Sequence, residues 1–235
     1  MGETIFLAGA TGAIGSRLVP MLVEAGFTVY GTTRKPEREN GLRQAGATPV
    51  IVDVFDSQAL AETLRQTKPR IVIHQLTDLP FGLDPAQMEE GRIRNAHLRE
   101  VGTKNLVDAA VAAGAERMIS QSIAWAYQPG ATPISEETPL QDSATAIRTL
   151  EALTLQTPKI AGTVLRYGLL YGPGTGSDAP NGPITLHVDV AARATLLAAE
   201  TAATGIFNIV DDGGPISNAK AKSVLAWRPS KPNGQ

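Results

Sequence analysis

The sequence contains no cysteine, almost no net charge and no long apolar run. Without cysteine the chain can form no disulfide, thiolate metal site or cysteine nucleophile, which is typical of a reducing compartment. Its 21 basic and 23 acidic residues give a formal net charge of -2, so no basic field attracts nucleic acid. No apolar run approaches the roughly 18 residues of a membrane span. We therefore expect neither a nucleic acid nor a membrane as partner.

The chain of 235 residues is 43% hydrophobic and 19% charged, which is enough apolar material for the core of one large globular domain. Its first four residues run directly into a short apolar stretch at 5–8. That stretch is too short for a signal peptide and is typical of a first strand. We expect a cytoplasmic protein.

Short apolar runs alternate with stretches of helical period along the whole chain. This alternation is typical of repeated strand–helix–strand units, which form a parallel sheet covered by helices on both faces. The predicted strands are 4–8, 28–32, 49–52, 70–74, 117–120, 163–166 and 206–210. The predicted helices are 14–25, 39–45, 57–66, 85–113, 143–156 and 190–201, and the fourth is long enough to be a candidate for a break.

A glycine-rich turn follows the first predicted strand. Its glycines are Gly9, Gly12 and Gly15, and a predicted helix starts there. Such a turn lets backbone amides at a helix N-terminus approach a pyrophosphate, which is how dinucleotides are bound. The alternative is an ordinary strand-to-helix turn, but the surrounding strand, helix and strand favour dinucleotide binding. We therefore predict a doubly wound α/β domain of Rossmann type, with about seven strands in the order 3-2-1-4-5-6-7.

The residues after the second strand indicate which dinucleotide binds. An NAD site usually has an acidic residue there for the ribose hydroxyls, but this chain has Thr33, Arg34 and Lys35. A guanidinium can hold a 2′-phosphate, so we predict NADP in preference to NAD. The alternative for Arg34 and Lys35 is a solvated loop pair. Asp53, after the third strand, is predicted either to accept from the adenine amino group or to cap the following helix.

Several further segments resemble the extended or atypical short-chain dehydrogenase/reductases, the group that contains the NAD-dependent epimerase/dehydratases. The resemblance rests on the glycine turn and on segments 53–54, 73–77, 102–106, 120–122, 165–174 and 187–189. It implies that Leu76 and Thr77 line the ribose and pyrophosphate, that Ser122 is the active-site serine, and that residues 169–171 lie near the nicotinamide. The predicted cofactor-binding residues are Gly9, Thr11, Gly12, Ala13, Ile14, Gly15, Thr33, Arg34, Lys35, Asp53, Val54, Leu76, Thr77, Leu169 and Tyr171.

One hallmark of that group is missing. Its members carry a Tyr-x-x-x-Lys pair on the helix after the serine strand, and the resemblance implies that this pair moves the proton that accompanies hydride transfer. Here Ser143 and Ile147 occupy the two positions. A free phenol has a pKa near 10 and needs a neighbouring cation to act at neutral pH. Tyr127 is our predicted replacement because it follows Ser122 closely; His74, Tyr167 and Tyr171 are the alternatives.

The resemblance implies an oxidoreductase or epimerase/dehydratase-like enzyme that transfers hydride to or from a small carbonyl or hydroxyl compound, with sugar derivatives among the candidates. Two alternatives stay open: a non-catalytic NADP-binding module that senses redox state, and an NADPH-dependent flavin or quinone reductase. No histidine has metal-ligand spacing, so no metal is expected. Among the arginines of 85–113, Arg92, Arg94 and Arg99 are candidates for holding an anionic substrate, with a solvated helix face as the alternative.

The region that usually covers the substrate is short in this chain. We predict a single NAD(P)-binding domain over 1–235, in which 172–188 and 211–235 are the remnant of a substrate-binding region. Either the substrate site is small and open, or the printed sequence omits stretches of the natural chain. Members of the group often form homodimers through helices equivalent to 85–113 and 143–156, and a homodimer is therefore a possible assembly.

Overall fold

The computed structural model describes residues 2–229 and contains one seven-stranded parallel sheet. The strands are β1 Thr4–Ala8, β2 Thr28–Thr33, β3 Thr48–Ile51, β4 Ile71–His74, β5 Arg117–Ile123, β6 Ala161–Tyr167, β7 Leu169–Tyr171, β8 Thr185–His187 and β9 Gly205–Ile209. The helices are α1 Ala13–Glu24, α2 Glu39–Gln44, α3 Ser57–Thr67, α4 Met88–His97, α5 Thr103–Ala112, α6 Thr145–Gln156, α7 Val188–Thr201 and α8 Ala219–Val224.

The strands of the large sheet lie in the order β3-β2-β1-β4-β5-β6-β9. The predicted Rossmann-type order is confirmed, with β9 as the seventh strand because β7 and β8 pair separately in a small two-stranded sheet. β1 pairs with β2 on one side and with β4 on the other. The chain therefore reverses its direction of progress at β1, and this reversal opens a crevice at the carboxyl ends of β1 and β4.

Apolar side chains cover both faces of the sheet. One face packs against α1 and α7 through residues such as Leu18 and Ala198, and the other packs against α3 and α5 through residues such as Leu64 and Leu106. All four residues of β4 are buried, as expected for a strand that has helices on both sides. Within residues 2–229, no helix is both long enough and apolar enough to cross a bilayer.

The predicted helix over 85–113 is a composite element. A single 3₁₀ turn at Pro85–Gln87 leads into α4, and a π-helical segment at Leu98–Gly102 joins α4 to α5. The helical path therefore continues without a break, but the π-helical segment changes the direction in which its side chains point. Two other features were not predicted: the pair β7–β8 and the short helix α8.

Candidate functional site

The three glycines of the β1–α1 turn differ in what their surroundings tolerate. Gly9 has a φ of +90°, and a Cβ there would lie 2.6 Å from the carbonyl oxygen of Gln75. A Cβ on Gly15 would lie 2.1 Å from the carbonyl oxygen of Gly9, so Gly15 permits close packing of α1 on the turn. A Cβ on Gly12 would lie 3.4 Å from the carbonyl oxygen of Gly9, which is an ordinary van der Waals distance, and Gly12 is exposed. The fold therefore needs glycine at positions 9 and 15, whereas at 12 it leaves backbone open to a ligand.

A cavity of about 240 Å³, the cofactor cavity, opens beside this turn. Thr32 helps to hold its wall, because the Thr32 hydroxyl accepts a hydrogen bond from the amide of Gly9 at 3.1 Å. The predicted cofactor residues that line the cavity are Gly9, Thr11, Gly12, Thr33, Arg34, Lys35, Asp53, Val54, Leu76 and Thr77. The structure thus brings together residues from the ends of four strands, as ligand binding at the crevice requires.

The remaining predicted cofactor residues lie elsewhere. Ala13 begins α1, and Ile14 and Gly15 face the interior behind the turn. Leu169 lines a second cavity, and Tyr171 contacts the ring of His187 edge to face at 5.1 Å. Direct contact of these residues with a cofactor stays a prediction.

Arg38 is a residue of the cofactor cavity that sequence analysis missed. Its guanidinium donates a hydrogen bond to the carbonyl oxygen of Thr11 at 3.1 Å, and it lines the cavity with Arg34 and Lys35. The short helical turn Pro36–Arg38 brings it back toward the glycine turn. The sequence signal was present, since Arg38 lies one helical turn beyond the two cations already selected.

Asp53 lines the same cavity, and its carboxylate accepts a hydrogen bond from the amide of Phe55 at 3.0 Å. The helix cap that sequence analysis left open for Asp53 belongs to Asp56, which accepts from the amide of Ala59 at 2.9 Å. The side chain of Asp53 is therefore free of capping and faces the cavity wall.

Ser122 lies on the buried side of β5. Its hydroxyl donates a hydrogen bond of 2.7 Å to the carboxylate of Glu151, which also forms two hydrogen bonds with the guanidinium of Arg166 at 2.8 and 2.5 Å. Ser120, two residues earlier and so on the same face, bonds Thr154 of the same helix α6. The neighbouring residue Ile123 points the other way and lines the second cavity.

Tyr127 is also held in the interior. Its hydroxyl donates to the side-chain oxygen of Asn208 at 2.6 Å, and the guanidinium of Arg166 lies 4.8 Å from the centre of its ring. Burial raises the pKa of Tyr127 although the charge of Arg166 opposes that shift. Neither Ser122 nor Tyr127 lines the two cavities. A catalytic role for them stays a prediction, and their contacts are those of positioning residues.

Two of the other predicted proton donors, Tyr167 and His74, are bonded internally as well. Tyr167 shares a 2.6 Å hydrogen bond with Thr195, and burial raises the pKa of Tyr167 to about 12. His74 is fully buried, accepts from the amide of Leu76 at Nδ1 and contacts the hydroxyl of Thr103 at Nε2. Burial, with the charge of Arg99, lowers the pKa of His74 to about 4. None of these groups is poised to exchange a proton with a substrate near neutral pH.

The second cavity has a volume of about 560 Å³. Its lining continues the chain from the lining of the first cavity at two places, since Asp78 and Leu98 line the first and the next residues, Leu79 and Arg99, line the second. Ser143 and Ile147, which occupy the positions of the missing Tyr and Lys, both line the second cavity. The missing pair therefore leaves a large space whose wall is mostly apolar.

A family model described as NAD(P)H-binding matches residues 9–195. The chain is 36% identical over 237 residues to a 3-diazoavenalumate denitrifying reductase from a Streptomyces species. This alignment covers 88% of this chain and 76% of that protein. It is 37% identical over 128 residues to cinnamoyl-CoA reductase 1 from Petunia hybrida, covering 52% of this chain and 35% of that protein.

Solved structures share the fold at lower sequence identity. A UDP-glucose 4-epimerase from Thermotoga maritima, solved with UDP-glucose, has a TM-score of 0.78 and 20% identity, with 97% of this chain and 94% of that chain covered. A UDP-glucuronic acid 4-epimerase from Bacillus cereus, solved with UDP-glucuronic acid and NAD, has a TM-score of 0.78 and 17% identity with the same coverage.

Proposed function

Because the chain belongs to the NAD(P)H-binding family, with relatives that are reductases, we propose that it is an NADPH-dependent reductase of small, mostly apolar acceptors. The resemblance to the extended short-chain dehydrogenase/reductases is confirmed by those relatives in sequence and by the epimerases in fold. The observation that carries the proposal is the second cavity: Ser143 and Ile147, at the positions of the missing Tyr and Lys, line it, and so do Leu79 and Arg99, which directly follow residues of the cofactor cavity.

The residues of the cofactor cavity fit a dinucleotide. The exposed backbone at Gly12 has room for a pyrophosphate, and α1 starts at the next residue with its amide groups directed toward that space. Asp53 and Val54 would contact the adenine, and Leu76 and Thr77 would line the ribose and pyrophosphate. When bound, the nicotinamide supplies or accepts a hydride.

The preference for NADP over NAD rests on charge at the end of β2. Arg34, Lys35 and Arg38 are exposed cations on the wall of the cavity, and the hydroxyl of Thr33 bonds the backbone of Lys35. A ribose with a 2′-phosphate would gain charge-assisted hydrogen bonds from these side chains. A ribose with two free hydroxyls would lack the carboxylate that normally accepts from it.

The walls of the second cavity favour acceptors that need no proton from the protein. Ser143 is the residue at the tyrosine position, and the buried phenols of Tyr127 and Tyr167 have raised pKa values and internal partners. A diazonium group meets this condition, because one hydride replaces it on the ring and the nitrogen leaves as N₂ with no proton consumed. The name of the Streptomyces relative describes a diazo compound and a denitrifying reduction, which supports this class of acceptor.

Reduction of a carbonyl compound is the second candidate. The hydroxyl of Ser143 stands at the tyrosine position, and the fold is shared with enzymes solved with UDP-sugars. Segment 172–188 supports a substrate role in either case, since Asn181, Pro183 and Ile184 line the second cavity. Of segment 211–235, residues 230–235 lie outside the described residues.

Oxidation of NADPH with a panel of acceptors tests the proposal. We expect oxidation with an aryl diazonium salt and a quinone, and at least about a hundredfold slower oxidation with a matched aromatic aldehyde, because general acid catalysis contributes about that factor. Heat-inactivated protein controls for direct reaction with NADPH. The double variant Ser143→Tyr/Ile147→Lys should raise the aldehyde rate only. Binding of NADPH without oxidation by any acceptor would indicate a non-catalytic module, and a faster aldehyde reaction in the wild type would contradict the proposal.

A further inference from the structure

The second cavity combines an apolar wall with positive charge. Its apolar residues include Met88, Trp125 and Leu169, whereas Arg92 and Arg99 are its only charged residues among those that the structure describes. No carboxylate of residues 2–229 lies on this wall. A volume of about 560 Å³ suits a ligand of one or two rings. The cavity therefore matches an acceptor that is apolar over most of its surface and anionic at one end.

Arg99 is held toward the cavity by the π-helical segment Leu98–Gly102. Burial lowers the pKa of Arg99, although the charge of Glu151 partly compensates. Over residues 2–229 its guanidinium has no hydrogen bond or ion pair, whereas Arg94 of α4 contacts both Asp78 and Glu90. A guanidinium carries five donors, and those of the half-buried Arg99 have no acceptor among the described side chains. A ligand with a carboxylate would supply that acceptor.

We propose that Arg99, with Arg92 at the cavity mouth, binds the carboxylate of an aromatic acid whose ring packs between Trp125 and the apolar wall. The inference rests on the proposed function and names the class of acceptor that it uses. A planar guanidinium pairs with a carboxylate through two parallel hydrogen bonds. Trp125, which is 42% exposed, offers a face on which an aromatic ring can stack. A nucleotide sugar, with its large polar surface, suits these apolar walls less well.

Calorimetry with a matched pair of probes tests this proposal. Cinnamate and the uncharged cinnamamide have the same shape, and each is titrated into protein saturated with NADP⁺. We expect cinnamate to bind at least about tenfold more tightly than cinnamamide. Arg99→Gln should weaken the binding of cinnamate about tenfold and that of cinnamamide less than about twofold. Arg99→Lys should keep part of the preference for cinnamate over cinnamamide. Arg65→Gln, an exposed arginine on α3, is the control and should change neither affinity.

The affinity for NADP⁺ separates the two proposals. If wild type binds no NADP⁺, the proposed function fails and this inference fails with it. If NADP⁺ binds but cinnamate and cinnamamide bind equally, or neither binds, only the assignment of Arg99 is overturned. Tighter binding of UDP-glucose than of cinnamate overturns the apolar acid as ligand. An Arg99→Gln variant that loses affinity for NADP⁺ and for both probes alike would show a structural role instead.

Discussion

At the scale of single residues, a buried polar cluster explains the positions of the two predicted catalytic hydroxyls. Glu151 of α6 and Arg166 of β6 form an ion pair whose side chains are 6% and 4% exposed. Burial alone would lower the pKa of Arg166, but its hydrogen bonds to Glu151 raise it above the ordinary value. Ser122 completes the hydrogen bonds of Glu151, and Tyr127 covers Arg166. The cluster thus fixes α6 against the sheet beside the second cavity.

Removing one charge of this pair should be costly. Glu151→Gln leaves the guanidinium of Arg166 buried without a counter-ion, so we expect the free energy of unfolding to fall by about 3 kcal/mol. Denaturant titration measures this loss. The double variant Glu151→Gln/Arg166→Met should recover part of it, and Glu62→Gln at an exposed pair should cause no measurable change. A loss below about 1 kcal/mol would mean that the pair does not organise this region.

His74 predicts a pH dependence of stability. Its pKa is lowered to about 4 in the folded protein by burial and by Arg99, whereas an unfolded histidine titrates near about 6.5. As the pH falls from about 6.5 to about 4, the unfolded chain takes up a proton that the folded chain refuses. His74 therefore causes no pH dependence of the free energy of unfolding above about pH 6.5. By about pH 4 it lowers that free energy by about 3 kcal/mol.

The variant His74→Asn isolates this contribution, because its amide oxygen can still accept from the amide of Leu76. Free energies of unfolding are measured for both proteins across that pH range. As the pH falls from about 6.5 to about 4, the free energy of unfolding of wild type should decrease by about 3 kcal/mol more than that of the variant. Parallel curves for the two proteins would show that His74 is already protonated, or accessible to protons, in the folded state.

At the scale of elements, the β1–α1 turn separates what the fold requires from what the ligand requires. Gly15→Ala places a methyl group against the backbone of Gly9, so we expect a loss of stability of at least about 2 kcal/mol. Gly12→Ala has room for its methyl group and should leave stability nearly unchanged. The variant should nevertheless bind NADPH at least about tenfold more weakly, because that methyl group occupies the space proposed for the pyrophosphate.

Thermal unfolding and NADPH titration of the two variants measure these effects. Gly41→Ala, in α2 and with open space around the glycine, is the control: it should raise stability by up to about 1 kcal/mol, because alanine is the better helix former, and leave the affinity for NADPH unchanged. Equal affinity of Gly12→Ala and wild type for NADPH would place the pyrophosphate elsewhere.

The strands of the large sheet could be predicted from the sequence, whereas β7 and β8 could not. The strands of the large sheet are apolar runs bounded by turn residues, so their period and length predicted them. β7 and β8 have three residues each, which is too short for a period to be recognised, and they flank a loop rich in glycine and proline. The alternation of side chains along β5 could have placed Ser122 with Ser120 against α6, but only the structure shows which face borders the cavity.

At the scale of the whole molecule, two cavities with neighbouring lining residues lie along the carboxyl edge of one sheet. The cofactor cavity could be predicted from sequence because its residues follow strand ends within short, continuous motifs such as Gly9–Gly15. The second cavity could not, because it is assembled from α4, the start of α6 and segment 172–188, which are distant in sequence. The sequence offered Arg99 only as one of three candidate arginines, because its orientation depends on a π-helical segment that leaves no signature in the sequence.

The most direct test of the account is a calorimetric comparison of NADPH and NADH binding to wild type and to the double variant Arg34→Ser/Arg38→Ser. We predict that wild type binds NADPH at least about tenfold more tightly than NADH, and that the double variant loses most of that difference while its affinity for NADH is unchanged. Binding of neither nucleotide to the folded wild type, or equal binding of both, would contradict the account.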